Sequence, residues 1–285
     1  MKTAALSVFI CKFFVNLLNT KPKTMKKLLL LVAVATFGVQ SAAAWSGPGH
    51  EIVVEIAKRH LTEQTKTNIA KYIPYDITKD ARWMDRNRKG SPWDYSNDWH
   101  SYYYDAKLRH NPNGKIRHGD TMRALDLAER NLSMYRELTD SAVIYNIRMI
   151  LHFAGDMHCP SHCKLEGGRD DGPKVYIKGK KYFSFHTLYD DMPRLLYGKG
   201  FDPAKIAEML DTHSKREIKR LGRGDHHDWA QETIYRTNII HQWNPNSESE
   251  VLRDDTIELS KELVEEQLRR AGYRLAHLLN KYFGE

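Results

Sequence analysis

The chain has 285 residues, with 44 basic and 36 acidic side chains and a formal net charge of +8. The first 44 residues contain six lysines and no acidic residue, so the remaining chain carries 38 basic and 36 acidic residues. This near balance excludes nucleic-acid binding driven by overall charge, and any attraction to phosphate must be local.

Residues 1–44 have the pattern of a secretory signal peptide. Lys26 and Lys27 precede an apolar run over residues 28–39, and small residues follow at 41–44. A charged segment, a short apolar segment and an Ala-x-Ala site are typical of cleaved export signals. The run is shorter than the roughly 20 residues that span a bilayer, although a retained membrane anchor is the alternative. We expect cleavage after Ala44 and export to the periplasm or the cell exterior. Residues 1–24 either extend the signal or come from an upstream start.

Residues 45–285 are expected to form one all-α domain. Apolar residues recur with helical periodicity over residues 50–61, 121–138 and 141–157. A capping box opened by Asp255 predicts a long last helix, while residues 85–119 predict long loops and residues 175–183 a small β-hairpin. The expected core positions of the last helix are Ile257, Leu259, Leu263, Val264, Leu268, Leu275, Leu278 and Leu279.

The helix predicted over residues 141–157 is apolar nearly all round, so it should be buried. Nevertheless, Arg148, His152 and Asp156 form a polar stripe along it at four-residue spacing. Buried charges need a partner or a metal ion. One interpretation is an internal salt-bridge network of Arg148 with Asp156, and the other is a metal site.

The spacing of further histidines and aspartates favours the metal site. His152 and Asp156 are four residues apart, as are His186 and Asp190, and His162 lies between the two pairs. Residues four apart share a helix face, so an imidazole and a carboxylate can bind one ion at about 2.0–2.2 Å each. Nitrogen and oxygen ligands suit Zn²⁺, with other borderline divalent ions as alternatives.

Taken in order, these residues resemble the type I single-strand-specific nucleases, the S1/P1 nuclease family, which share a helical fold with zinc-dependent bacterial phospholipase C. The resemblance covers nearly all of residues 45–285. It is carried by Trp45-x-x-x-x-His50, Trp83-x-Asp85, His100, His152-Phe153-x-Gly155-Asp156-Met157-x-x-Pro160-x-His162, Gly167-Gly168, His186-x-x-x-Asp190 and Gly272-Tyr273-Arg274-Leu275-Ala276.

The resemblance implies a single-domain helical phospholipase C/nuclease-type fold that binds three Zn²⁺ ions. Asp156 would bridge two of them, and Trp45 would contribute its α-amino group and carbonyl oxygen. Cleavage after Ala44 is then required, because a longer chain would turn this amine into a weakly binding amide. The implied ligand sets are Asp85, His100, His152 and Asp156; His162, His186 and Asp190; and Trp45, His50 and Asp156.

The implied activity is hydrolysis of single-stranded DNA and RNA by a metal-activated hydroxide, giving 5′-phosphates, with associated 3′-nucleotidase activity. Asp85 and Asp156 would be catalytic together with Arg88, which is either a phosphate clamp or a solvated loop charge. Unpaired bases would stack on exposed aromatic side chains. The candidates for this role are Tyr102, Tyr103, Tyr104, Tyr182 and Phe183, and the alternative is that they are core residues. The expected partner is a single-stranded nucleic acid or nucleotide, with no stable membrane partner, and the protein should be a monomer.

Some features depart from the family pattern. Arg169 stands where the family commonly has asparagine after Gly-Gly, and Cys159 and Cys163 flank His162, either as a local disulfide or as plain thiols.

A zinc-dependent phospholipase C is one alternative function, although it tends to have glutamate where this chain has Asp190. A non-catalytic zinc-binding protein on the same scaffold is another. The remaining histidines His226, His227 and His241 are expected to be surface or packing residues, with additional metal binding as the alternative.

Overall fold

Helices make up most of the chain that the structure, a computed structural model, describes. The described residues are 45, 47–90, 92–112, 119–167, 174–177, 180–182, 184–242, 249–251 and 254–285. Every described residue belongs to one compact unit, which lies within residues 42–285. The predicted signal peptide and its cleavage site therefore lie outside the described residues.

The fold class is all-α, as predicted. The helices are α1 (Pro48–Lys58), α2 (Glu63–Ala70), α3 (Trp83–Asn87), α4 (Thr121–Leu132), α5 (Asp140–His158), α6 (Phe185–Tyr197), α7 (Pro203–Leu210), α8 (Lys215–Leu221), α9 (His226–Gln242) and α10 (Asp254–Phe283). Short 3₁₀ helices cover Ile77–Asp80, Asp94–His100, Tyr135–Glu137 and Pro160–His162. Within the described ranges, none of these helices has the length and apolar character needed to cross a membrane.

Side-chain caps fix where several helices begin. The Asp120 carboxylate accepts a hydrogen bond from the backbone N–H of Arg123 at 2.9 Å, at the start of α4. The Ser184 hydroxyl accepts one from the backbone N–H of Thr187 at 3.0 Å, at the start of α6. Such caps satisfy backbone donors that have no partner within the helix. The second cap sets the position of α6, the helix that carries one of the two His-x-x-x-Asp pairs.

Helix α5 lies at the centre of the core, with α4 and α10 packed against it and α1 packed between α10 and α7. Its buried residues face nearly all directions, which confirms the burial predicted from its composition. The α1–α10 contact is very close at Gly272, where a Cβ atom would lie 2.4 Å from Ile56 Cγ2. Glycine is therefore required for the close packing of α1 on α10.

Two small sheets complete the fold. Strands β3 (Lys174–Ile177) and β4 (Lys180–Tyr182) form the predicted antiparallel hairpin, and β5 (Ser249–Val251) adds in parallel to the other edge of β3. Strands β1 (Tyr102–Tyr104) and β2 (Cys163–Leu165) pair in parallel. The prediction of loops throughout residues 85–119 is wrong, because this segment contains part of α3, a 3₁₀ helix and the buried strand β1.

The last helix begins at Asp254, one residue before the predicted cap at Asp255, and helix ends commonly differ by this much. Leu259 is 48% exposed, so its assignment to the core is wrong. Leu263 is half-buried, and the Ile257 side chain lies outside the described residues. The remaining predicted positions are buried: Val264, Leu268, Leu275, Leu278 and Leu279.

Candidate metal centre

Helix α5 places His152 and Asp156 one turn apart, and both side chains are fully buried. The Nδ1 atom of His152 lies 2.9 Å from the backbone carbonyl oxygen of Ala81, to which it donates a hydrogen bond. This bond fixes the ring so that Nε2 faces Asp156 Oδ2 at 3.3 Å. Histidines that bind metals typically donate a hydrogen bond of this kind from the ring nitrogen that does not face the metal.

His100 and Asp85 approach the same point from two other elements. His100 ends a 3₁₀ helix, and its Nδ1 atom lies 3.0 Å from both Asp156 Oδ2 and His152 Nε2. Asp85 lies on α3, with Oδ1 3.7 Å from His100 Nδ1 and 3.8 Å from His152 Nε2. The structure thus brings together the four residues that the family resemblance assigns to one ion.

His50 reaches the other oxygen of Asp156 from α1. Its Nε2 atom lies 3.2 Å from Asp156 Oδ1, without the alignment of a hydrogen bond. A Cβ atom on Gly155 would lie 2.7 Å from His50 Nδ1, so this approach requires glycine. The indole of Trp45 is also buried here and donates from Nε1 to the Gly155 carbonyl oxygen at 2.9 Å. Residue 45 therefore lies beside Asp156.

A second cluster forms where α6 meets the 3₁₀ helix Pro160–His162. Asp190 Oδ1 lies 3.3 Å from His162 Nε2, and Asp190 Oδ2 lies 3.0 Å from His186 Nε2. The Ser161 hydroxyl donates to Asp190 Oδ1 at 2.9 Å. His162 Nδ1 is hydrogen-bonded to the backbone carbonyl oxygen of His100, which links the two clusters.

Cys159 and Cys163 are free, buried thiols, so the alternative of a local disulfide is wrong and the plain-thiol alternative holds. Cys159 Sγ lies 3.1 Å from Ser161 Oγ and 3.9 Å from Asp190 Oδ1. Cys163 instead interacts with Tyr102 and Thr237, so the two sulfur atoms lie in different surroundings. Burial raises the pKa of both thiols, which keeps them protonated at neutral pH.

The protonation states of three residues of the first cluster suit metal binding, whereas burial opposes a charge on His152 but Asp156 and Asp85 raise its pKa, so an ion that binds there displaces a proton. Burial lowers the pKa of His50, and it lowers the pKa of His100 to about 4 although Asp156 opposes this. Burial alone would raise the pKa of Asp156, but His152 and His100 hold it well below its usual value. At neutral pH the cluster therefore offers neutral imidazoles at His50 and His100 and a carboxylate at Asp156, which are the forms that bind metals.

Several buried polar atoms in these clusters have no hydrogen-bond partner. They are His50 Nδ1 and Nε2, both carboxylate oxygens of Asp85, His100 Nε2, Asp156 Oδ1, His186 Nδ1 and Asp190 Oδ2. Buried polar groups are nearly always paired, because an unpaired one costs about 1–3 kcal/mol. Many of these atoms belong to nitrogen and oxygen groups that zinc binds. The donor set therefore fits divalent metal ions.

Arg88 follows α3 and is only 8% exposed. Its Nη1 atom lies 3.7 Å from Asp85 Oδ1. The solvated-loop interpretation of Arg88 is therefore wrong. The guanidinium group is instead held beside a carboxylate of the candidate centre.

Arg148 does not join the polar cluster of α5. Its Nε atom donates to Asp80 Oδ2 at 3.0 Å, and its guanidinium lies over the Trp83 ring at 4.7 Å. The alternative of an internal network between Arg148 and Asp156 is therefore wrong. Arg169 and Gly168 lie outside the described residues, so the altered loop remains a sequence observation.

The tyrosines of β1 are not a base platform. Tyr102 and Tyr104 are fully buried, Tyr103 is 8% exposed, and the Tyr102 hydroxyl donates to the Met157 carbonyl oxygen at 2.9 Å. They pack in the core, where β1 pairs with β2, the strand that directly follows His162. The side chains of Tyr182 and Phe183 lie outside the described residues.

A different aromatic cluster, which sequence reasoning missed, lies beside α3. Trp93 stacks on Tyr145 with ring centroids 4.3 Å apart, and Trp83 packs edge-on against both. Tyr95 packs obliquely against Trp93 and is 37% exposed. We call these four residues the aromatic patch. The alternation of Trp93 and Tyr95 a few residues after Arg88 was its only signal in the sequence.

Comparison with known proteins agrees with this geometry. A family model described as S1/P1 Nuclease matches residues 45–284. No curated protein was found to match the chain. The matched range begins at Trp45 and includes every residue of the two clusters.

Proposed function

Because the chain belongs to the S1/P1 nuclease family, we propose that it is a zinc-dependent phosphodiesterase that cleaves single-stranded DNA and RNA. Its products would carry 5′-phosphates, and it would also release phosphate from 3′-nucleotides. The observation that carries this proposal is the convergence of His50, His100 and His152 on the two oxygens of Asp156.

We assign three Zn²⁺ ions to the centre, in agreement with a metal-dependent family. The shared carboxylate of Asp156 would bridge two ions, because His50 faces one oxygen and His100 and His152 face the other. The assigned ligand sets are Asp85, His100, His152 and Asp156; His162, His186 and Asp190; and Trp45, His50 and Asp156. When bound, zinc supplies an activated water near neutral pH and neutralises charge on the leaving oxygen.

The chain's own residues orient the substrate and the centre. Arg88 has the charge and planar donors to hold a phosphate, and its position 3.7 Å from Asp85 aims it at the same centre. The carbonyl of Ala81 and the hydroxyl of Ser161 keep His152 and Asp190 in place. These contacts fix the geometry before substrate binds, which is what electrostatic catalysis requires.

The aromatic patch supports a preference for single strands. Its partly exposed rings lie beside α3, the helix that carries Asp85. An unpaired base can stack on such a ring, a contact worth about 1–3 kcal/mol. A base within a duplex is already stacked and cannot reach it, while the buried metal ligands prevent a stiff duplex from entering.

Export through the predicted signal peptide is part of the proposal. The Trp45 indole donates to the carbonyl oxygen of Gly155, the residue before Asp156, and its backbone N–H interacts with the Cys159 thiol, so cleavage after Ala44 would free an amino group close to these residues. The periplasm or the cell exterior is the expected location. Metal sites with histidine and carboxylate ligands are compatible with either compartment.

The first experiment measures cleavage of single-stranded DNA and RNA by protein that begins at Trp45. Reactions run with chelator, with zinc added back, and with a phosphatidylcholine substrate in parallel. We expect chelator-sensitive release of 5′-mononucleotides that zinc restores. Protein with one extra residue before Trp45 should lose zinc and activity, because its amine has become an amide.

Other outcomes would replace the proposal. Zinc-loaded protein that hydrolyses the lipid but not nucleic acid would be a phospholipase C. Zinc-loaded protein that hydrolyses neither substrate would favour a binding role on the same scaffold. The shorter Asp190 in place of glutamate supports the nuclease over the lipase.

A further inference from the structure

A second group of metal-binding side chains lies outside the candidate centre, where the first turn of α9 meets α4. His226 Nε2 and His227 Nε2 each lie 3.0 Å from the same oxygen, Oδ1 of Asp126. We propose that these three residues form a further site for a borderline divalent cation of the Zn²⁺, Ni²⁺ or Cu²⁺ class. None of them belongs to the ligand sets of the candidate centre, so this site does not depend on nuclease activity.

The distances suit a shared ion. Neighbouring ligand atoms in a tetrahedral site with bonds of about 2.0–2.1 Å are about 3.3–3.4 Å apart. The two nitrogen–oxygen distances of 3.0 Å are near this value, and all three ligand groups lie within 4.8 Å of one another. Small rotations of the exposed His227 and Asp126 side chains would lengthen these nitrogen–oxygen distances to the spacing of a tetrahedral site.

The ring of His226 is already oriented as in a metal-bound histidine. Its Nδ1 atom lies 2.6 Å from Glu129 Oε1, to which it donates. Glu129 is held in turn by Lys281 Nζ at 3.1 Å and by the Tyr282 hydroxyl. A carboxylate behind a histidine fixes its tautomer and makes the other nitrogen a better ligand. Nε2 of His226 then points at Asp126 and needs either a proton or a cation between the two atoms.

Exposure gives an ion a route to the site. The side chains of His227 and Asp126 are 48% and 51% exposed, whereas His226 is 6% exposed. The site thus has one buried, pre-oriented ligand and two solvent-exposed ligands, so water can complete the coordination. A bound ion would tie the start of α9 to α4 and stabilise the fold, because it binds the folded chain alone.

The test compares zinc content in the wild type, His227→Ala and Asp126→Asn, each dialysed at the same micromolar free zinc concentration. His213→Ala is the matched control, because His213 is a partly exposed histidine near a carboxylate, Glu266, at 4.0 Å. We expect each site variant to bind one zinc ion fewer per chain than the wild type and the control. Zinc should also raise the melting temperature less in the two variants.

A spectroscopic readout identifies the ligands directly. Cu²⁺ added to zinc-loaded wild-type protein should give an electron paramagnetic resonance spectrum with two imidazole nitrogens, and His227→Ala should show one. The proposal is overturned if all four proteins bind the same number of zinc ions. It is equally overturned if added Cu²⁺ gives the same spectrum in the wild type and His227→Ala, in which case the group is a protonated ion pair.

Discussion

The ring nitrogens His152 Nε2 and His100 Nδ1 lie 3.0 Å apart, and both face Asp156 Oδ2. His152 already uses its other nitrogen as a donor to the Ala81 carbonyl oxygen. In its neutral form, it therefore presents a lone pair to His100 and to a carboxylate. Burial opposes a charge on His152, but Asp156 and Asp85 raise its pKa. A proton or a metal ion between these atoms therefore relieves the crowding of acceptors, and a cation is favoured in this buried place.

Metal removal should therefore lower the stability of the protein as well as its activity. Chelation would leave the carboxylates of Asp85 and Asp156 in the first cluster, and that of Asp190 in the second, without a metal counter-ion. A ligand present at 1,000 times its dissociation constant stabilises a fold by about 4 kcal/mol. We expect a fall of several degrees in the melting temperature with chelator, reversed by zinc. An unchanged melting temperature would contradict a metal role for this cluster.

Gly155→Ala should displace His50 from the centre. The added Cβ would lie 2.7 Å from His50 Nδ1, and overpacking of this kind costs about 1–3 kcal/mol. We expect the variant to lose about one zinc ion per chain, together with nearly all hydrolysis. Metal analysis and a thermal melt, run on the same sample, measure both effects.

Gly272→Ala is the matched control for this change. Its Cβ would lie 2.4 Å from Ile56 Cγ2, at a helix contact that includes no predicted metal ligand. It should lose stability to a similar or greater extent while keeping its zinc. If both variants lost the same amount of zinc, the effect of Gly155→Ala would be general destabilisation.

The sequence predicted which histidines and aspartates the fold brings together much better than it predicted their surroundings. His152 with Asp156 and His186 with Asp190 were visible because helical periodicity converts a four-residue spacing into a shared face. The burial of Tyr102 could not be predicted from the sequence. In a run of three tyrosines, no alternation of polar and apolar residues distinguishes a buried strand from an exposed aromatic surface. Whether Arg88 is buried was also not visible, because it depends on the long-range packing of α3 against α5.

Arg88→Lys should impair catalysis without loss of metal. Lysine keeps the charge but not the planar pair of donors that matches a phosphate. We expect kcat/KM for single-stranded DNA to fall by about 10²-fold, the cost of one lost electrostatic contact. Arg86→Lys is the control and should leave the rate unchanged, because Arg86 is an exposed arginine on the preceding helix α3 and donates to the Lys79 carbonyl oxygen. Equal rates for wild type and Arg88→Lys would remove Arg88 from the phosphate site.

Tyr95→Ala should weaken the binding of oligonucleotides more than that of single nucleotides. Loss of one stacked base costs about 1–3 kcal/mol, so KM for an oligonucleotide should rise by about 5–150-fold. Tyr235→Ala is the control, because Tyr235 is 55% exposed and is not part of the aromatic patch. If KM for the oligonucleotide is the same in Tyr95→Ala and the control, the aromatic patch does not bind substrate at Tyr95.

The pair of Glu129 and His226 should make metal-free stability depend on pH. Burial opposes the charge on Glu129, but His226, Tyr282 and Lys281 lower its pKa from 4.5 to about 2. A depressed carboxyl pKa stabilises the fold above pH 4.5, and this contribution is lost as pH falls towards 2. Burial also opposes a charge on His226, yet Glu129 and Asp126 raise its pKa above 6.5. That contribution is complete below pH 6.5 and is lost as pH rises through the folded pKa.

Glu129→Gln should therefore destabilise the protein most between pH 4.5 and 6.5, where both charges are present. The expected loss there is up to about 3 kcal/mol, because one pKa unit corresponds to about 1.4 kcal/mol. Thermal melts of wild type and variant in chelator, across pH 3–9, measure the difference as a function of pH. Glu63→Gln is the control, since Glu63 is 88% exposed and pairs with Lys66 at the surface. A constant difference across this range would mean that Glu129 acts through packing and neutral hydrogen bonds, because only an ion pair with His226 produces a maximum.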